Sequence, residues 1–175
     1  GETFVPSFTS HGFRYVEITG NGCELSDISC VTSLEGLVLC NTPDTTGSFE
    51  CSDPLVNQLQ SNIQWGQRGN SLLVYTDCPQ RNERMGWTGD AQVFAPTAAF
   101  NMDVQSFMNK WLLDVRDGQL MYNRHGAVPD TAPLGGDNRP AGCAGWADAS
   151  VIAPWEMYLA YGDTRVLEEN YECMA

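Results

Sequence analysis

The chain has 175 residues, 42% hydrophobic and 10% aromatic, enough to pack one ordinary domain and too apolar for a disordered segment. Its formal net charge is −13 and Lys110 is its one lysine, so its surface repels nucleic acid and anionic membranes, which bind through clustered Lys and Arg. No apolar run approaches the ~20 residues of a membrane span, and Gly1-Glu2-Thr3-Phe4 lacks the basic and apolar regions of a signal peptide.

Up to residue 47 the pattern is strand-like. Phe13-Arg14-Tyr15-Val16-Glu17-Ile18 alternates between two faces and ends at Gly20-Asn21-Gly22. Leu34 to Leu39 is a second short apolar run, and Thr42-Pro43-Asp44-Thr45-Thr46-Gly47-Ser48 reads as a linker or turn. Two or three strands cannot bury a sheet face alone, so residues 1–47 are expected to be the last strands and linker of a β-sandwich.

From residue 48 the period becomes helical. Ser52-Asp53-Pro54 offers an N-cap and a first-turn proline before Leu55, Leu59 and Ile63. Asp90 to Asn101 is Ala-rich and helical, with Pro96 kinking it or ending its first part. Asp103 caps a helix whose apolar stripe is Val104, Phe107, Met108, Trp111, Leu112 and Val115, with Gly118 as its stop. A further helix runs from about Asp148 to Tyr161, and Gly162 ends it. Asp163 caps a last one, with Val166, Leu167, Tyr171 and Met174 on one face. Trp65, Trp111 and Trp155 fall in helical apolar patterns and are expected in the core. The seven cysteines, an odd number, leave at least one thiol free or paired elsewhere. No C-x-x-C pair points to zinc. A disulfide among Cys23, Cys30, Cys40 and Cys51 and a set of buried thiols remain equal alternatives.

Two long connections interrupt the helices, Thr76 to Gly89 and Gln119 to Trp146, and long loops in a packed domain are usually functional. The first carries Asp77-Cys78-Pro79-Gln80-Arg81-Asn82-Glu83-Arg84-Met85-Gly86-Trp87-Thr88-Gly89-Asp90, with three carboxylates, two arginines and an indole. Glycoside cleavage needs such a mixture: a carboxylic acid to protonate the leaving oxygen, carboxylates to grip hydroxyls, and an indole to cover a C–H face. The bland alternative is a solvated loop with an Arg–carboxylate lattice and a core tryptophan.

Asp77 to Gln92 closely resembles the signature of glycoside hydrolase family 78, the α-L-rhamnosidases, in which an Asp usually stands where this chain has Asn82. Gly12-Phe13-Arg14-Tyr15, Gly47-Ser48-Phe49-Glu50-Cys51-Ser52-Asp53, Val128-Pro129-Asp130, Gly145-Trp146-Ala147-Asp148-Ala149 and Tyr161-Gly162-Asp163 extend the resemblance in order along nearly the whole chain. The resemblance implies a mainly α fold, the N-terminal part of an (α/α)6 six-hairpin barrel over residues 48–175. It also implies an inverting hydrolase that removes terminal α-L-rhamnose. Carried over by position, Glu83 is the general acid. Asp77 and Asp90 bind rhamnose hydroxyls, Arg81 lies in the same sugar-binding loop, and Trp87 and Trp146 pack against the sugar. Neither a metal nor a cofactor is implied.

Asp130 and Asp148 stand beside family motifs and either line the pocket or serve as a turn residue and a helix cap. His11 and His125 carry no assigned role. Asp137-Asn138 lacks the ligand spacing of a calcium loop. Five helices fall short of the twelve in six hairpins, and an inverting enzyme needs a second carboxylate ~6.5–9.5 Å from the acid. The chain therefore reads as a fragment whose base lies elsewhere, with exposed apolar stripes that favour self-association. The rivals are a glycosidase of the same fold for another sugar and a carbohydrate-binding relic without turnover. An acidic, lysine-poor surface suits a secreted or periplasmic protein, with the cytoplasm as the alternative. Because Glu83 lies between Arg81 and Arg84, a general acid there is expected to avoid close pairing with either arginine.

Overall fold

A computed structural model describes residues 2–19, 31–41, 44–122, 126–134 and 141–175. Among these residues five helices form: α1 (Pro54–Asn70), α2 (Thr88–Asn101), α3 (Gln105–Tyr122), α4 (Ala149–Tyr161) and α5 (Arg165–Met174). None is long and apolar enough to cross a membrane. α2 packs on α4, α4 on α5, and α3 lies against both α4 and α5.

The core follows the helix periods. Val104 just before α3 and Met108, Trp111, Leu112 and Val115 within it are buried, with Phe107 partly so, the stripe expected from the sequence. Where α2 packs on α4, Ala91, Ala95 and Ala98 of α2 and Ala149, Ala153 and Met157 of α4 are nearly solvent-free, so small residues let these helices approach closely. Pro96 stays inside α2 and Pro154 inside α4, neither ending its helix. The burial of those alanine faces outweighs the missing amide of each proline, a cost of ~3 kcal/mol in an isolated helix. The Tyr161 phenol oxygen accepts from Val104 N at 2.8 Å, joining the end of α4 to the start of α3. Gly162 caps α4 with φ 67°.

Several expectations are corrected. α1 starts as its sequence dictates, with Asp53 accepting from Leu55 N at 2.8 Å, but Leu55 and Leu59 are exposed. α1 is instead held through amides: Gln67 donates to Ala98 O at 3.1 Å and Gln60 to Asn101 Oδ1 at 2.8 Å. Gly118 does not stop α3, which continues to Tyr122. The missing Cβ makes room for Pro129, whose Cγ would stand 2.9 Å from a Cβ there. α5 buries Val166 and packs Leu167 against the core as expected, but Asn170 and Cys173 are buried and Tyr171 is exposed. Asn170 tolerates burial because its amide donates to Val166 O at 2.7 Å. Of the three tryptophans expected in the core, only Trp111 is there. Trp65 and Trp155 are 55% and 48% exposed.

Among the described residues before residue 47, no strand ladder forms. Phe13, Tyr15, Val16 and Ile18 are all exposed, and the described residues of this region contribute only the isolated bridge Thr45–Met102. Alternation alone makes no sheet, because each ladder needs a neighbouring strand to take its amides. The segment is tied down at points, with Asn41 N donating to Ser71 O at 2.8 Å and Thr46 N to Asn101 O at 3.1 Å. Cys51, Cys78, Cys143 and Cys173 are thiols, and Cys23 and Cys30 lie outside the described residues.

Asp163 anchors the α4–α5 corner. Its Oδ1 accepts from Arg165 N at 3.0 Å and from Arg165 Nε at 2.9 Å, and Oδ2 from Arg165 Nη2 at 2.6 Å. The hydrogen bonds from the Arg165 side chain, then from its amide, hold this carboxyl down to about 2. A carboxyl held low stabilises the fold wherever the unfolded chain would already be ionised. The clamp is thus complete above the ordinary value of 3.8 and is lost as pH falls through about 2. A carbon-detected NMR titration should place the Asp163 midpoint near that value, and in an Arg165→Gln chain it should return toward 3.8.

Candidate active site

The two long loops meet and form one structure. Thr88 N donates to Asp130 O at 2.9 Å and Ala132 N to Gly86 O at 2.9 Å, which pairs Trp87 with Thr131 as a short antiparallel bridge. A Cβ on residue 86 would stand 2.1 Å from Ala132 O, so only glycine allows this approach. The second loop is anchored in turn by the buried Trp111, whose indole donates to Ala132 O at 3.1 Å. Farther along, Gln92 donates to Gly145 O at 2.5 Å, and Asp148 Oδ2 accepts from Gly145 N at 3.0 Å. Asp148 thus shapes the Gly145–Trp146 turn and makes no cap bond to α4. Asp130 is no mere turn residue. Its carbonyl takes the Thr88 bonds, and its carboxyl, by hydrogen bonding to Cys143 and aided by burial, pushes that thiol up.

Beside this junction lies an open cleft of 860 Å³. Asp77, Asp90 and Trp146 line it, together with Gln67, Asn70 and Tyr75. The Asp77 side chain is 9% exposed, and its Oδ1 is buried without a hydrogen-bond partner among the described residues. Such an acceptor is expensive to leave empty and suits a hydroxyl donor from a ligand. Asp90 is exposed in the first turn of α2, where the helix dipole favours a negative charge. Burial pushes the Tyr75 phenol up, so it stays protonated near the cleft floor. Gln67, Asn70 and Tyr75 escaped the sequence reading. Gln67 on an inward helical face was the available signal, since a buried amide always requires partners.

Glu83, Arg81 and Trp87 stand next to the cleft without lining it. Trp87 connects them to it, its ring meeting Trp146 edge to face with centroids 6.5 Å apart. Trp87 Nε1 donates to Glu83 Oε1 at 3.0 Å, and Arg81 Nη2 lies 2.5 Å from Glu83 Oε2. This overturns the expectation that neither arginine would pair with Glu83. The physical cause is the tight turn in which Glu83 N donates to Arg81 O at 3.0 Å, bringing the two side chains together. Arg84 does avoid Glu83 and donates to Ser10 Oγ at 3.0 Å. The same Arg81 nitrogen lies 3.7 Å from Asp77 Oδ2. Hydrogen bonding to Cys78, then the Glu83 and Asp77 charges, raises the Arg81 pKa. Asp77, by hydrogen bonding, pushes the Cys78 thiol up, so Cys78 is not an activated nucleophile. Asp77, Cys78 and Glu83 bring donor atoms within 4.8 Å of one another, but the guanidinium already sits on Glu83. His11 bonds with Thr9 at 3.2 Å and is not among the residues lining the cleft. His125 and Asp137-Asn138 lie outside the described residues.

Asp77, Asp90 and Trp146 on an open cleft, with Glu83, Arg81 and Trp87 beside it, sit on loops at the ends of packed helices, the arrangement of a helical domain with its site on the connecting loops. The profile of the bacterial alpha-L-rhamnosidase 6 hairpin glycosidase domain matches residues 44–175. The chain belongs to that family. An alpha-L-rhamnosidase of Streptomyces avermitilis is 51% identical over 96% of this chain and 16% of its own length. One of Formosa agariphila is 46% identical over 98% of this chain and 18% of its own. The crystal structure of the Streptomyces avermitilis alpha-L-rhamnosidase complexed with L-rhamnose superposes with a TM-score of 0.72 at 50% identity, covering 77% of this chain and 13% of that one. The native Aspergillus terreus enzyme gives a TM-score of 0.69 at 43% identity, covering 74% and 15%. The chain therefore spans less than a fifth of the length of these relatives, 16% and 18% of the two curated ones.

Replacing Gly86 by Ala should lower stability by about 1–3 kcal/mol, the usual cost of forcing an extra methyl group into packed structure. Urea denaturation of the two chains measures it. A difference below about 0.5 kcal/mol would mean that the loop junction yields easily.

Proposed function

We propose that this chain supplies the acid-bearing part of an α-L-rhamnosidase active site that removes terminal rhamnose with inversion. Family membership supports the reaction class. The observation that carries the site is Glu83 held at the edge of a cleft by Trp87 and Arg81, with Asp77 presenting an unfilled acceptor. In this reading residues 1–47 belong to a preceding β-sandwich, and residues 48–175 to the helical catalytic domain. Rhamnose lies in the cleft with hydroxyls on Asp77 and Asp90 and its ring against Trp87 and Trp146. The Streptomyces avermitilis relative crystallised as a complex with L-rhamnose, which supports that substrate class.

In these contacts both Glu83 oxygens accept, whereas an acid must donate a proton. The Arg81 side chain is 60% exposed, and an ion pair so open to solvent contributes little. Substrate binding exceeds that, so Arg81 turns to Asp77 or to a sugar hydroxyl as the ring arrives. Glu83, still oriented by Trp87, then protonates the glycosidic oxygen. The base is a different group. A carboxylate oxygen of Asp77 lies within 4.8 Å of one of Glu83, closer than the ~6.5–9.5 Å that leaves room for an attacking water. We assign the base to a carboxylate outside residues 1–175. The exposed Leu55, Phe100, Leu159 and Tyr171 support self-association of the isolated chain. The acidic composition supports action outside the cytoplasm, which thiol labelling of native-source protein tests.

In a protein carrying the complete catalytic domain, Glu83→Gln should cost ~10²–10⁴-fold in kcat on rhamnosides with poor leaving groups, the span of general-acid catalysis. Activated aryl rhamnosides should lose far less, since their leaving groups need little protonation. Equal losses on both would make Glu83 a sugar-binding group. The first-formed rhamnose should carry the inverted anomeric configuration by proton NMR. Retention would point to Asp77 as a nucleophile, because retaining pairs stand only ~5–5.5 Å apart.

A further inference from the structure

We propose that the segment around Ser10 and Gly12 is a strap on the acid loop, and that Ser10 and Arg84 are positioning residues for Glu83. The proposal rests on Glu83 as the acid, but the strap itself is a property of the chain.

The segment touches the loop on both sides of the acid. At one end Gly12 lies so close to the loop that a Cβ would stand 2.4 Å from Pro79 O and 3.0 Å from Gln80 Cα. At the other end Arg84 Nη1 donates to Ser10 Oγ at 3.0 Å. Between these points lie Arg81, Asn82 and Glu83, joined by the tight Glu83 N to Arg81 O turn. A stretch pinned at residues 79 and 84 has few ways to turn its middle.

Arg84 itself is under constraint. Its φ is 57°, in the left-handed region that non-glycine residues enter at a cost and keep only when surroundings enforce it. Its Nε is buried without a partner among the described residues, which makes the Nη1 bond to Ser10 the more costly to lose. This backbone twist sends Arg84 to Ser10 and leaves Glu83 to Trp87 and Arg81. If the strap lets go, Arg84 can relax, the preceding residue turns with it, and the Trp87–Glu83 bond is lost first.

The Trp87 indole proton reads this directly in the 175-residue chain, with its resonance assigned by Trp87→Phe. Its solvent exchange should accelerate roughly tenfold in Ser10→Ala and in Arg84→Ala, the scale expected for losing a charge-assisted hydrogen bond. Ser10→Thr keeps the hydroxyl and should restore slow exchange. The Trp111 indole, bonded to Ala132 O, should be unaffected in all of them. Unchanged Trp87 exchange in both alanine variants overturns the proposal, as does equal acceleration at Trp111 or failure of threonine to restore it. In a protein carrying the complete domain, Ser10→Ala should lower kcat on poor leaving groups while leaving KM and activated aryl substrates within about twofold. Equal loss on both substrates overturns the positioning role. If the exchange results hold but no rhamnoside is hydrolysed, the strap stands and the rhamnosidase reading fails.

Discussion

The site depends on main-chain hydrogen bonds between two loops far apart in sequence. Thr88 N to Asp130 O and Ala132 N to Gly86 O set the acid loop against the later one, and the Trp111 indole fixes the later loop to the core. A buried indole N–H left unmet would cost ~1–3 kcal/mol, and so would each amide of the junction. The helices supply the walls, but the junction decides where Trp87 stands, and Trp87 decides how Glu83 is turned. A side chain at Gly86 would press into this junction, its Cβ 2.1 Å from Ala132 O.

The electrostatics of the loop are those of a poised ion pair. Asp77 is buried and Arg81 is exposed, so the carboxylate is enclosed while its counter-ion stands open to solvent. A guanidinium 2.5 Å from one carboxylate and 3.7 Å from another can pass between them with little loss in solvent-screened surroundings. The guanidinium also stands against the Asp77–Cys78–Glu83 cluster, where it balances the carboxylate charge. Cys78, pushed up by hydrogen bonding to Asp77, serves as a neighbour and takes no part as a thiolate.

Much of this is legible in the residues, and the misses have identifiable causes. The α3 stripe can be read directly because six apolar positions at helical spacing leave one face to bury. α1 misleads because its Leu55 and Leu59 are periodic yet exposed, and its contacts run through Gln60 and Gln67, which no hydrophobic period reveals. Gly118 and Pro96 are breakers by propensity that tertiary packing overrules. The acid loop is visible as a motif, but the Arg81–Glu83 contact is not, because it follows from a turn spanning two residues rather than from residue types. Alternation in residues 13–18 marks extended chain, and nothing in it tells whether a ladder partner lies alongside.

Asn82 is the residue at which the acid loop departs from its family's pattern. It is exposed, and its side chain makes no hydrogen bond among the described residues. Loop shape is carried by backbone atoms and by residues 79, 84 and 86, so the chain can change the group beside its acid without changing the scaffold. A charge placed at that position would alter the field at Glu83 while displacing no side-chain hydrogen bond of the loop.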